Sequence, residues 1–210
     1  MMTEAGMNKK FFLGILFFGS IWGAAEAGLG GVLYRMKIIS SSVPLTVIAF
    51  VILTVAKTYF PQKYSATCIG FVAMLYKFLN TPLFLCHLLA IFLLGAAYDL
   101  CYGFFNIKSR AVFGLAATYL GYISFALTIT YVFRYHYWTE GSMHKILRYA
   151  GISGTLAAVG NFIAVPLAHK LGQVLINRAE NPFELRLEPV SGSISVITLC
   201  LWIPVLLRWL

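Results

Sequence analysis

The sequence predicts an all-α polytopic membrane protein, a bundle of six or seven transmembrane helices, on three observations. Of its 210 residues, 60% are hydrophobic and only 11% charged, where a soluble domain carries about 25% charged residues. The mean hydropathy is +0.82, and the apolar residues gather into seven segments. The sixteen Lys and Arg stand between those segments or at their ends, where such charges set orientation and touch lipid headgroups.

The segments are Phe11–Leu33, Val43–Phe60, Ser65–Leu79, Leu83–Phe105, Val112–Phe133, Ile146–Ile176 and Ile194–Leu207. A span takes about 20 residues, with a range of about 17 to 25. "MMTEAGMNKK", an apolar run and then "AEA" at 25–27 have the layout of a signal peptide. The apolar run continues past that point, so it reads as the first transmembrane helix. The third and seventh segments are short, and fit as tilted, half-inserted or extended helices. The first, fourth, fifth and sixth are long enough to cross without help. Their lengths exclude barrel strands, which need only about ten alternating residues. "NTP" at 80–82 makes a tight turn, with Pro suited to the first position of the next helix. "RAENPFELRLEPVSGS" at 178–193 is the only sizeable polar stretch. The chain therefore reads as one transmembrane domain over 1–210: a six-helix core at 11–176, a polar connection at 178–193 and a seventh apolar segment at 194–207.

The net charge of +9 does not point to nucleic acid, because the cations form no stripe. The cysteines, Cys68, Cys86, Cys101 and Cys200, all lie in apolar segments and are expected to be buried, inert thiols. Cys86 and Cys101 are separated by about 22 Å of helical rise and cannot share a metal. Neither a metal site nor a cofactor is expected. A cytoplasmic N-terminus places nine Lys and Arg inside and seven outside. Lys9 and Lys10 before the first helix, and Lys108 and Arg110 in a short loop, favour that orientation. The location expected is the cell membrane, with multiple passes.

"GSIWGAAEAGLGG" at 19–31 carries the most information. Gly19, Gly23, Ala27 and Gly31 recur every four residues and form one ridge almost without side chains. Ser20, Ala24 and Gly28 line up beside it. Such a ridge packs against helices of the same chain or docks a separate subunit. A second ridge, Gly160, Ala164, Ala168 and Gly172, runs along the sixth segment.

Glu26 stands beside the first ridge, one of two acidic residues within the apolar segments. A carboxylate at bilayer depth costs about 2.5–3.5 kcal/mol on insertion scales, so it must be protonated, paired or turned to a polar cavity. With the N-terminus inside, Glu26, Lys77 and His87 fall in the outer half. So does "RYHYWTEGSMHKILRY" at 134–149, with Arg134, His136, Trp138, Arg148 and Tyr149. These eight are the candidate ligand-binding residues, suited to an aromatic or planar molecule bearing a carboxylate or phosphate. The loop residues also read as an aromatic belt with snorkelling cations. Asp99, at the opposite end, is expected to pair with Lys57 or Arg110. Asn161 is expected to hydrogen-bond between helices.

The first-helix ridge, the helix count and two stretches carry a family resemblance. "SATCIGFVAMLYKFLNTPLFLCHLLAIFLLGAAYDL" at 65–100 resembles the third and fourth helices of the substrate-binding S-components of energy-coupling factor (ECF) vitamin transporters. "AAVGNFIAVPLAHKLGQVL" at 157–175 is similar to the last helix of that family. The resemblance covers 11–176, and the seventh segment departs from the usual six helices. It implies a membrane subunit that captures a vitamin or micronutrient-like molecule on its outer face. It also implies partners: a transmembrane coupling subunit, docked through small residues that map onto Gly23 and Ala27 with Gly19 and Gly31 extending the row, and ATPase subunits.

Two other classes stand beside this one. A solitary transporter or structural membrane protein would show inverted repeats in the first case, and none is visible. A membrane enzyme would use Glu26 and His87 as acid and base. The sequence lacks HExxH, GxSxG and paired carboxylates, so no enzymatic activity is expected.

Overall fold

The computed structural model describes residues 4–36, 41–80, 85–104, 107–178 and 194–203, and within them the side chains of 11–33, 36, 41–79, 86–104, 107–141, 143–177 and 194–203. The turn expected at 80–82, the polar connection at 178–193, the end of the seventh segment and the side chains of Lys9 and Lys10 lie outside what is described.

Among the described residues every regular element is helical: α1 Glu4–Arg35, α2 Ser42–Tyr59, α3 Ser65–Asn80, α4 Leu85–Phe104 and α5 Arg110–Leu127, then the short α6 His136–Thr139 and α7 Ser142–Arg148, and finally α8 Gly154–Arg178 and α9 Ile194–Ile203. A π-helical turn, Thr128–Val132, prolongs α5, and another, Tyr149–Ser153, joins α7 to α8. Five helical stretches are long and apolar enough to cross a membrane, and α3 and α9 are shorter apolar helices. The protein is an all-α polytopic membrane bundle.

Six helices close into a ring in the order α1, α3, α4, α5, α8, α2 and back to α1. Hydrocarbon gives helices no reason to hide apolar residues from it, so close backbone contact must hold them together. Small residues supply that contact at the seams. Gly19 and Gly23 press on α3, where a Cβ at Gly23 would lie 2.5 Å from the Tyr76 side chain and one at Gly19 the same distance from Val72. Gly70 of α3 faces Gly95 of α4, and a Cβ on Gly95 would strike the Ala66 carbonyl. The second ridge lies on α2: Gly160 meets Val47 and Gly172 meets Thr58. Both ridges are thus used in packing within the chain. Gly28 and Gly31 face open space.

The ring interior is filled by Trp22, Phe50, Leu53, Ile69, Ile91, Tyr98, Phe113 and Val165, all buried. The outward face of α8 is apolar and exposed at Phe162, Ile163, Leu167, Leu171 and Val174, which is what lipid requires of it. Between α5 and α8, Asn161 donates to Thr118 Oγ1 over 2.8 Å. This is the interhelical bond expected of it.

The seventh segment joins the bundle from outside the ring. Trp202 of α9 donates its indole N–H to Ser20 Oγ over 2.7 Å, and Tyr76 donates to the Leu201 carbonyl over 3.0 Å. Tyr76 and Trp202 also meet edge to face, 5.2 Å between centroids. The row of small residues beside the first ridge gives the indole its seat.

Candidate functional site

Polar groups collect at both ends of the ring. At one end Lys77 of α3 donates to Glu26 Oε2 of α1 over 2.7 Å, with side chains 12% and 7% exposed. The ridge makes this pair possible. Gly23, one turn before Glu26, lets α1 approach α3 closely enough for the carboxylate to meet the ammonium. Lys77 Nζ also passes beside Gly30, where a Cβ would touch it at an ordinary contact distance of 3.9 Å. His87 of α4 is exposed and within electrostatic range of both charges.

An aromatic wall stands at the same end. Tyr122 of α5 and Tyr149 stack with centroids 4.9 Å apart. Trp138 of α6 meets Tyr149 and Phe125 edge to face at 5.3 and 5.6 Å. The Tyr122 hydroxyl lies 3.2 Å from Thr46 Oγ1 and 3.5 Å from Ser42 Oγ, both on α2. Glu26 is within electrostatic range of Tyr122 and Tyr149. Tyr149 opens one π-helical turn and Thr128–Val132 forms the other, so the wall sits where the regular helical ladder is interrupted, a feature common at functional sites. Arg134 follows the Thr128–Val132 turn with φ of 47°, a left-handed conformation that costs a non-glycine residue about 1–3 kcal/mol.

Trp22 lies one turn from Glu26 on α1 and is fully buried. Its indole N–H has no hydrogen-bond partner among the described residues. A buried donor left unmade costs about 1–3 kcal/mol, so the ring holds an unused donor close to its buried ion pair.

The opposite end is built around Lys57 of α2. Its ammonium donates to Asp99 Oδ1 at 2.6 Å, to the Gln62 carbonyl at 2.8 Å and to Ser65 Oγ at 3.0 Å. Asp99 Oδ2 accepts from the Thr67 backbone N–H and hydroxyl at 2.7 and 2.8 Å, so the carboxylate also caps the N-terminus of α3, where a negative charge is favoured. This is the pairing expected of Asp99. Beside it lies a cavity of about 490 Å³ lined from α2, α4, α5 and α8.

Of the eight candidate ligand residues, Glu26, Lys77, His87, Trp138 and Tyr149 come to one end of the ring. Arg134, His136 and Arg148 are exposed; His136 pairs with Glu140 at 3.3 Å, both largely in the open. Of the four ridge residues, Gly19 and Gly23 are covered by α3, Ala27 is half-buried and Gly31 is exposed. Sequence reasoning missed Tyr122, Thr46 and Ser42. Their signal was present: Ser42 and Thr46 share a helix face, and Tyr122 shares one with the buried Thr118 and Phe125. It also missed the cavity, which is assembled from four helices and has no local signature. Among the described residues no group of three His, Cys, Asp or Glu could hold a metal ion. No protein-family model, curated protein or solved structure matches the chain.

Proposed function

We propose that the chain is the membrane-embedded solute-binding subunit of an ATP-driven uptake system. It captures a small vitamin or micronutrient-like molecule at the Lys77 end, which Lys9 and Lys10 make the outer end, and works with a transmembrane coupling subunit and ATPase subunits. It acts by binding and needs no catalytic group or cofactor. The observation that carries this reading is the buried Glu26–Lys77 pair beside the Tyr122–Tyr149–Trp138 wall. A buried ion pair is a poor way to stabilise a fold, because desolvation offsets most of its attraction. Next to an aromatic wall it suits recognition: Lys77 meets a carboxylate or phosphate, the rings take a planar body, and Glu26 holds the ammonium in place.

Native mass spectrometry of the purified protein tests for a co-purifying small molecule. With that molecule, Glu26→Gln keeps the shape, removes the charge and weakens binding by about 1–3 kcal/mol, the range for a charge-assisted hydrogen bond. If Glu26→Leu raises thermal stability and leaves affinity unchanged, the pair is no part of a binding site.

A second reading, a solitary transporter or structural membrane protein, has its own observation in favour. Gly19 and Gly23, half of the docking row implied by the family resemblance, are covered by α3. Co-purification of the tagged chain from its native membrane separates the two, since a solitary protein brings down no ATPase.

A further inference from the structure

The cavity at the Lys57 end has walls that the proposed function does not use. Among the described residues its lining includes Lys57, Arg110 and His169 and no carboxylate. Lys57 is neutralised by Asp99. Arg110 is half-buried and, among the described residues, forms no ion pair. It occupies the first turn of α5, the end of a helix that repels a cation and attracts an anion, so helix stability does not explain it. The dipole and the guanidinium instead add their positive potential on the same side. His169 and Gln173 of α8 line the same cavity as a pair, nitrogen to nitrogen at 3.2 Å, and Arg110 is within electrostatic range of His169. Tyr102, Pro61 and Ile176 supply apolar wall. The volume, about 490 Å³, falls within the usual range of small-molecule sites, about 300–1,000 Å³.

We propose that this cavity is a second binding site, at the opposite end of the ring from Glu26, for a small organic phosphate whose oxyanion is held by Arg110 and whose body lies against Tyr102 and Pro61. A guanidinium fork matches phosphate oxygens two at a time, and uncompensated positive charge with no acidic lining favours a phosphate over a neutral or cationic solute. The site stands whether or not the Lys77 end binds a solute. A free phosphate ester and the headgroup of a phospholipid share this chemistry.

The test uses the full chain in detergent, with phenyl phosphate as the free ester, dihexanoyl phosphatidic acid as the lipid source and benzyl alcohol as the neutral control. Either phosphate saturably raises the melting temperature and benzyl alcohol does not; whichever binds more tightly identifies the source. Arg110→Gln weakens that binding about tenfold or more, the equivalent of one charge-assisted hydrogen bond. In the unmutated protein, the bound phosphate slows modification of Arg110 by phenylglyoxal, read by mass spectrometry, so the outcome does not depend on the variant folding. Three results overturn the proposal: no stabilisation by either phosphate, equal binding by Arg110→Gln, or binding lost in Lys77→Gln and kept in Arg110→Gln.

Discussion

At the scale of single residues, the two buried ion pairs have different neighbours and therefore different expected costs. Asp99 satisfies Lys57, the Thr67 hydroxyl and a backbone N–H at the start of α3. Removing it leaves an ammonium buried without its counter-charge, and breaking such a pair costs about 3–5 kcal/mol. Asp99→Asn should therefore lower the melting temperature strongly. The double variant Lys57→Met, Asp99→Asn should recover part of the loss, because the orphaned charge is gone. If the single and double variants melt alike, the ammonium is not the source of the cost. Among the described residues Glu26 has no such set of backbone partners, so Glu26→Gln should disturb the fold less than Asp99→Asn. The sequence supplied the polar residues in apolar runs and the need for partners. It could not choose Lys57 over Arg110 for Asp99, because that choice depends on where the loop after α2 brings Gln62 and Ser65.

Among elements, the glycine row divides by what covers it. A Cβ at Gly23 would press into Tyr76, while nothing lies within 4 Å of one at Gly31. Gly23→Leu should destabilise the isolated protein by about 1–3 kcal/mol, the usual cost of overpacking a tight contact, and Gly31→Leu should leave its melting temperature unchanged. Both are read from thermal unfolding in detergent. Should the isolated protein tolerate Gly23→Leu fully, α1 and α3 are not locked at this seam. The test of partner docking moves to the open end of the row: if a coupling subunit docks there, Gly31→Leu abolishes uptake while the protein stays folded. The periodicity of small residues was legible, since their spacing every four positions specifies a ridge. Which helix would fill it was not, because α3 and lipid-facing partners make the same demand on sequence. The α9 contact was likewise hidden, as Trp202 and Ser20 are separated by nearly the whole chain.

For the whole molecule, the ring of six helices fixes relative sidedness: the Glu26–Lys77 pair and the aromatic wall at one end, Lys57, Asp99 and the cavity at the other. The cytoplasmic N-terminus expected from Lys9 and Lys10 would put the Glu26 end outside. In a variant with the four native cysteines replaced, a membrane-impermeant thiol reagent should label a cysteine introduced at position 140 in intact cells and miss one at 108. The reverse pattern would exchange the two ends, making the Arg110 cavity the outer site.

By itself the sequence determined the class of molecule and the helices, because burying backbone in hydrocarbon leaves about 20 apolar residues per helix as the workable solution. All seven segments appear as helices among the described residues, with α1 starting earlier, at Glu4, and the sixth interrupted by the Tyr149–Ser153 π-helical turn. Tertiary structure decided the rest. It set Gly19 and Gly23 against α3 and Gly160 and Gly172 against α2, gave Glu26 to Lys77 and Asp99 to Lys57, and placed Tyr122 over Tyr149. It also assembled a basic cavity from α2, α4, α5 and α8, the outermost of which, ending at Tyr59 and starting at Gly154, are far apart in the chain. The reason is physical: a helix is specified by bonds between residues four apart, whereas a partner across the bundle depends on which faces meet in the ring.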